Sequence, residues 1–168
     1  MKTIELKLYK FEELTEDAQE KAIENNLDIN ADYAWWESVY IDAENVGLKI
    51  TEFDIDRGSY CNCEFVENAA DVAKNIIENH GTDCDTCKDS ESFLTVFKPL
   101  NEKLDNEFLD DLEIEEEIED LENEYLYTLS EDYRIILQRE YEYLTSEEYI
   151  KDTLIANEYD FTEDGEIY

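Results

Sequence analysis

Basic side chains are scarce: 13 Lys and Arg stand against 48 Asp and Glu in 168 residues, a formal net charge of −35. A chain so poor in cations has little with which to neutralise phosphates, which argues against direct binding to nucleic acid or to an anionic membrane and for cationic partners. Glycine and proline are also rare, at 4 and 1 residues, which excludes a Gly-rich phosphate loop and a Pro-, Gly- or Ser-rich linker. The one histidine, His80, leaves no two-histidine metal motif within one chain. No apolar run approaches the ~18 residues of a membrane span. The opening MKTIELKLYKFEEL alternates charged and apolar residues where a signal peptide would carry an apolar core, so a cytoplasmic protein is expected.

What remains is a chain with material for a core, 42% hydrophobic and 12% aromatic. TIELKLYKF, with Ile4, Leu6 and Leu8 on one face, has the period of an amphipathic strand. LTEDAQEKAIENN offers Thr15 as N-cap and Leu14, Ala18 and Ala22 as an apolar stripe. Tyr33, Trp36, Tyr40 and Ala43 predict a helix from Asn30 to Gly47. LKITEFDID and YCNCEFV predict a hairpin turning at Arg57, Gly58 and Ser59. A third helix is expected over ENAADVAKNIIENHG, followed by a cysteine-bearing loop. A helix from about Ser90 should kink or break at Pro99. Ile114, Ile118, Leu121, Tyr125 and Leu129 continue a long acidic helix. Thr145 with Glu148 forms a capping-box pattern for a last helix, and Asp164-Gly165 predicts a terminal turn. The sum is an α+β protein: a small antiparallel sheet with about five helices, one domain over 1–168, with 101–144 as a long acidic helical arm.

The arm is the most unusual stretch. From Asp105 to Glu124 there are 12 carboxylates in 20 residues, roughly one per 2.4 Å of helix axis, against one charge per ~1.7 Å in duplex DNA. No basic residue lies between Lys103 and Arg134, so the i to i+4 ion pairs that usually support an exposed helix are missing. Glu113, Glu115, Glu116, Glu117, Glu119, Asp120, Glu122 and Glu124 are the candidate partner-binding residues. Trp35 joins them as an aromatic anchor, because adjacent Trp35 and Trp36 cannot both face one core.

Cys61, Cys63, Cys84 and Cys87 read C-x-C and, after an interval, C-x-x-C, four soft ligands that could close a structural zinc site; the alternative is two buried strand thiols and two exposed loop thiols. A redox role for CDTC lacks a strand-to-helix context, and Asp83 and Asp85 would raise a thiol pKa. Asp54 and Asp56 form a D-x-D pair that could hold a metal, or else the outward side of a hairpin strand. Asp160, Thr162, Asp164 and Gly165 imitate half a calcium loop without its closing glutamate, and read as a turn. No catalytic constellation emerges, so no enzyme and no cofactor beyond possible structural zinc are expected.

YKFEELTEDAQEKAIENN, the Trp35-Trp36 pair, FDIDRGSYC and ANEYDFTEDGEIY together resemble a widespread group of small acidic proteins of bacteriophages and mobile elements, sometimes labelled antitoxin-like. The resemblance implies a phage or prophage setting and a counter-defence role of anti-CRISPR or anti-restriction type, without catalytic residues. The expected function is therefore a nucleic-acid charge mimic that blocks the basic groove of a host CRISPR effector or restriction nuclease. The alternative is an antitoxin or assembly factor for one cognate basic protein.

Overall fold

A computed structural model describes residues 6–104 and 111–168. Among them are six α-helices and a two-stranded antiparallel sheet, an α+β fold as expected: α1 (Glu16–Glu24), α2 (Glu37–Asn45), β1 (Leu48–Asp54), β2 (Tyr60–Phe65), α3 (Ala69–Asn79), α4 (Asp85–Leu104), α5 (Asp111–Leu144) and α6 (Glu147–Ala156). No helix of the described residues is long and apolar enough to cross a membrane. The chain divides into two compact units, Met1–Trp35 with Arg139–Tyr168, and Trp36–Gln138.

The first unit is assembled from both ends of the chain. Thr15 caps α1 by accepting from the Ala18 N–H, and the helix buries Ala18 and Ala22 with Phe11, Leu14, Ile150, Leu154 and Phe161. Small residues let α1 approach its neighbours closely: a Cβ on Gly165 would collide with the Ala18 carbonyl oxygen. Asn30 is buried, donates to the Leu144 carbonyl at 3.2 Å, and accepts from the Thr153 hydroxyl at 2.8 Å. The expected first strand is reduced among the described residues to one bridge, Tyr9 to Phe161; Ile4 lies outside them and Leu6 is exposed. Phe161 also bridges Ile167, which closes the predicted terminal turn at Gly165.

The second unit contains the hairpin, in register Leu48↔Phe65 through Asp54↔Tyr60 with an irregularity between Ile50 and Glu52. The Asp56 N–H donates to Asp54 Oδ1 at 2.7 Å, so Asp54 shapes the turn of its D-x-D pair. Val39 and Ala43 of α2, Leu48 and Ile50 of β1, Val72 and Ile76 of α3, and Phe93 and Leu94 of α4 are buried. In α5, Tyr125 and Leu129 are buried as the sequence predicts, and Tyr133 and Leu137 continue the stripe at the same spacing of four.

Four boundaries differ from expectation. α2 begins at Glu37, not Asn30, because Asn30 is held by its side-chain hydrogen bonds and Tyr33 is exposed. α4 begins at Asp85, so half of the expected cysteine loop is helical. It also continues through Pro99; Thr95, four residues earlier, is exposed, so solvent can satisfy the carbonyl that Pro99 leaves without a donor. Ser146, not Thr145, caps α6, since the Thr145 hydroxyl donates to the Tyr141 carbonyl at 2.8 Å. Of the expected arm over 101–144, residues 105–110 lie outside the described residues.

Candidate partner-binding surface

α5 changes character along its length. Leu112 is exposed, Ile114, Ile118 and Leu121 are half-buried, and Tyr125 onward the stripe is fully covered. At about 100° per residue, Ile114, Ile118, Leu121 and Tyr125 occupy one narrow sector, and the carboxylates fill the rest of the circumference. Glu113, Glu115, Glu116, Glu117, Glu119, Asp120 and Glu124 are exposed. Glu122 is half-buried, and its carboxyl is pushed above the usual range by burial and then by the charge of Glu119. Among the described residues no ion pair reaches the carboxylates of 112–124. Like charges instead stand at i and i+4, as in Glu113 with Glu117 and Glu116 with Asp120, an arrangement that weakens an isolated helix.

The helix keeps its shape because its apolar sector is anchored. Tyr125 stacks on Phe93 with ring centroids 4.2 Å apart and planes 8° from parallel. Its hydroxyl lies 2.7 Å from Ser90 Oγ, and Ser90 in turn donates to the Thr86 carbonyl at 2.7 Å. Next to this contact is a groove of about 260 Å³ between α4 and α5, with Phe93, Val96, Leu121 and Tyr125 as its apolar walls and Asp89 and Glu124 at its rim. Sequence reasoning did not find the groove, because it requires knowing that the Phe93 and Tyr125 stripes face each other.

A second acidic cluster lies where α4 approaches α5. The Asp132 carboxyl is pushed up to about 7, chiefly by burial and then by Asp89, with Asp85 and Glu131 adding to the effect; its Oδ2 is buried without a hydrogen-bond partner. This residue was not among the predicted site residues.

Trp35, predicted as a partner anchor, is a core residue, 8% exposed, with its ring 5.5 Å from that of Tyr141. The more accessible indole is Trp36, which is half-buried and meets Phe53 edge-on at 5.8 Å. This division of the pair matches the expectation that one of the two is core; the buried one is Trp35, the residue expected to face a partner.

The four cysteines, expected as zinc ligands or as plain thiols, are placed as follows. Cys61 and Cys63 share a face of β2 as predicted, with their sulfurs 3.8 Å apart, whereas Cys84 Sγ lies 3.2 Å from Thr86 Oγ1. Among the described residues no group of three or more His, Cys, Asp and Glu side chains could hold a metal ion. All four cysteines are free thiols.

His80 ends α3, its N–H donating to the Ile76 carbonyl at 2.8 Å. Its ring lies between Thr86 and Asp42: Nδ1 is 2.9 Å from Thr86 Oγ1, and Nε2 is 3.4 Å from Asp42 Oδ2, within ion-pair range but not aligned as a hydrogen bond. The Tyr133 hydroxyl donates to the same Asp42 oxygen at 3.0 Å. His80 first, and Tyr133 with it, hold the Asp42 carboxyl below its ordinary value. Thr86 is 3% exposed, so the Thr86–His80–Asp42 row offers no open nucleophile of its own.

No protein-family model matches the chain, nor does any curated protein or any solved structure.

Proposed function

We propose that the carboxylate face of α5 occupies the basic groove of a nucleic-acid-binding protein and excludes DNA or RNA by competition. The observation that carries this reading is the set of seven exposed carboxylates, Glu113, Glu115, Glu116, Glu117, Glu119, Asp120 and Glu124, without ion-pair partners among the described residues. Their axial spacing is comparable to that of duplex phosphates. A preformed helix spends little ordering entropy on binding, and release of the partner's counterions supplies affinity. The partner class is a host defence nuclease, a CRISPR effector or a restriction enzyme, as the expected resemblance to small acidic phage proteins implies. On this reading the chain is an inhibitor and not an enzyme, and acts in the host cytoplasm.

The α4–α5 groove favours a second reading, an antitoxin or assembly factor that grips one cognate basic protein through an apolar or aromatic side chain set between Phe93, Val96 and Leu121. Retention of binding proteins on the immobilised chain at ~50 mM and ~300 mM salt separates the two. Charge mimicry requires a nucleic-acid-binding partner that is lost at the higher salt and displaced by DNA or RNA. A salt-resistant partner indifferent to nucleic acid supports the groove, and the charge of α5 then serves only to solvate it.

A further inference from the structure

The C-x-x-C pair is placed quite differently from the loop its sequence suggests. Cys84 immediately precedes α4, a 20-residue helix, and its carbonyl accepts the Lys88 N–H at 3.3 Å as the first bond of that helix. Cys87 lies in the first turn, three residues on, where side chains one turn apart face each other. The two differ in access: Cys84 is half-buried and Cys87 fully buried. A helix N-terminus stabilises a thiolate. The acids that oppose this are Asp83 and Asp85, and Lys88 offsets one of them by pairing with Asp85 at 3.4 Å.

A second feature converges on the same sulfur. Thr86 Oγ1 lies 3.2 Å from Cys84 Sγ and 2.9 Å from His80 Nδ1. If Nε2 carries the imidazole hydrogen toward the Asp42 carboxylate, Nδ1 must accept, so the Thr86 hydroxyl donates to it and is free to accept from the Cys84 S–H. Each hydrogen is used once and all run the same way, from Cys84 through Thr86 to a ring that is 11% exposed and backed by a carboxylate. A half-exposed thiol is thereby connected to a largely covered imidazole.

We propose that Cys84 and Cys87 form a thiol–disulfide exchange site, with Cys84 the attacking thiol, Cys87 the resolving thiol, and Thr86 and His80 the positioning residues that take up the Cys84 proton. The Cys84 thiolate attacks one sulfur of a substrate disulfide, forming a mixed disulfide and releasing the first substrate thiolate. Cys87 then attacks Cys84 Sγ, forming the Cys84–Cys87 disulfide and releasing the second. The dithiol loses two electrons, the substrate gains them, and the protons of the two cysteines end on the two departing thiolates. Burial pushes the Cys87 thiol up, with the neighbouring Cys84 adding to it, as suits a thiol that reacts only once the mixed disulfide is in contact. Asp83 and Asp85, the sequence neighbours of Cys84, on a chain of net charge −35, select for disulfides that carry positive charge.

The test uses the full chain, reduced and freed of reductant, with cystamine as the cationic disulfide and oxidised glutathione as the anionic one. Peptide mass mapping should find a Cys84–Cys87 disulfide in the native chain, cysteamine held on Cys84 in Cys87→Ser, and neither product in Cys84→Ser. Cys87→Ala serves if the serine variant does not fold. Cystamine should react about tenfold faster than oxidised glutathione at low salt. Thr86→Val should slow the step about tenfold, and Thr86→Ser, which keeps the hydroxyl, should restore it. Reaction at Cys63 or Cys61 ahead of Cys84, or a folded Cys87 variant that accumulates no mixed disulfide at Cys84, overturns the proposal.

Discussion

The Tyr125 hydroxyl donates to Ser90 Oγ at 2.7 Å, a direction fixed by Ser90, whose own hydrogen is given to the Thr86 carbonyl. This bond fastens α5 to α4 at the residue where the exposed acidic turns give way to buried ones. Tyr125→Phe keeps the stack on Phe93 and removes the bond. Ser90 retains its other partner, so the expected cost is about 1 kcal/mol. Tyr125→Ala removes ring and bond together and should cost about 3–5 kcal/mol. Chemical denaturation of the two variants reads the difference. Equal losses would mean that the hydroxyl, not the stack, holds the helix.

The row Glu113, Glu116, Glu117 and Asp120 sets like charges three and four residues apart with no compensating cation in the stretch. Replacing Glu117 and Asp120 by Lys converts Glu113–117 and Glu116–120 into attractive i to i+4 pairs, each worth about 0.3 kcal/mol after an equal repulsion is relieved. The melting temperature should therefore rise at low salt, and the gain should shrink as salt is added. Binding to a basic partner should weaken at the same time. A variant that is more stable yet binds unchanged would detach the carboxylates from function.

The legible parts of the fold are those in which a local rule met no competitor. Thr15 capping α1, the hairpin at Arg57-Gly58-Ser59 and the stripe through Leu121, Tyr125 and Leu129 all follow from spacing alone. The misread parts were decided by a distant partner. Thr145 looked like an N-cap, but its hydroxyl is committed to Tyr141, and Asn30 looked like a helix start while bonded to Leu144 and Thr153. Alternation around Leu6 and Leu8 implied a strand, yet a strand needs a ladder, and only Tyr9 makes a bridge among the described residues. The carboxylates of the candidate surface could be read directly, since charge without nearby countercharge is a property of the sequence. The groove beside Phe93 and the His80–Thr86–Cys84 row could not, because each joins residues from separate elements.

Gly165 and Gly58 both adopt positive φ, at +83° and +90°, and the two predict different penalties. A side chain at Gly58 meets nothing within 4 Å, so Gly58→Ala should cost only the conformational term of about 1 kcal/mol. At Gly165 a Cβ would overlap the Ala18 carbonyl oxygen, which belongs to a helix backbone and cannot move aside alone. Gly165→Ala should therefore cost about 3 kcal/mol, the same conformational term plus overpacking. Thermal unfolding of the two single variants decides the point, and similar losses would remove the case for close approach of the terminal turn to α1.

Two carboxyls make stability depend on pH in opposite senses. Asp132 titrates near 7 in the folded chain, above its ordinary 3.8. Below about pH 4 both states hold its proton and the burial costs nothing; between about 4 and 7 the unfolded chain has released a proton that the folded chain keeps, so each rise in pH favours unfolding until the penalty levels off above 7. Asp42 is held below 3.8 by His80 and Tyr133, so its stabilisation is present above about pH 4 and is lost as pH falls through its folded value. Asp132→Asn retains an amide that can donate toward Asp89 and carries no charge. It should leave stability at pH 4 nearly unchanged and raise it by about 1 kcal/mol at pH 8, solvent screening having reduced the full linkage value. Asp42→Asn should do the reverse, weakening the fold near neutral pH while the difference disappears in acid. Denaturant titrations of both variants across pH 3–8 test the assignment, and an Asp132→Asn curve parallel to that of the native chain would show that this carboxyl titrates alike in the folded and unfolded states.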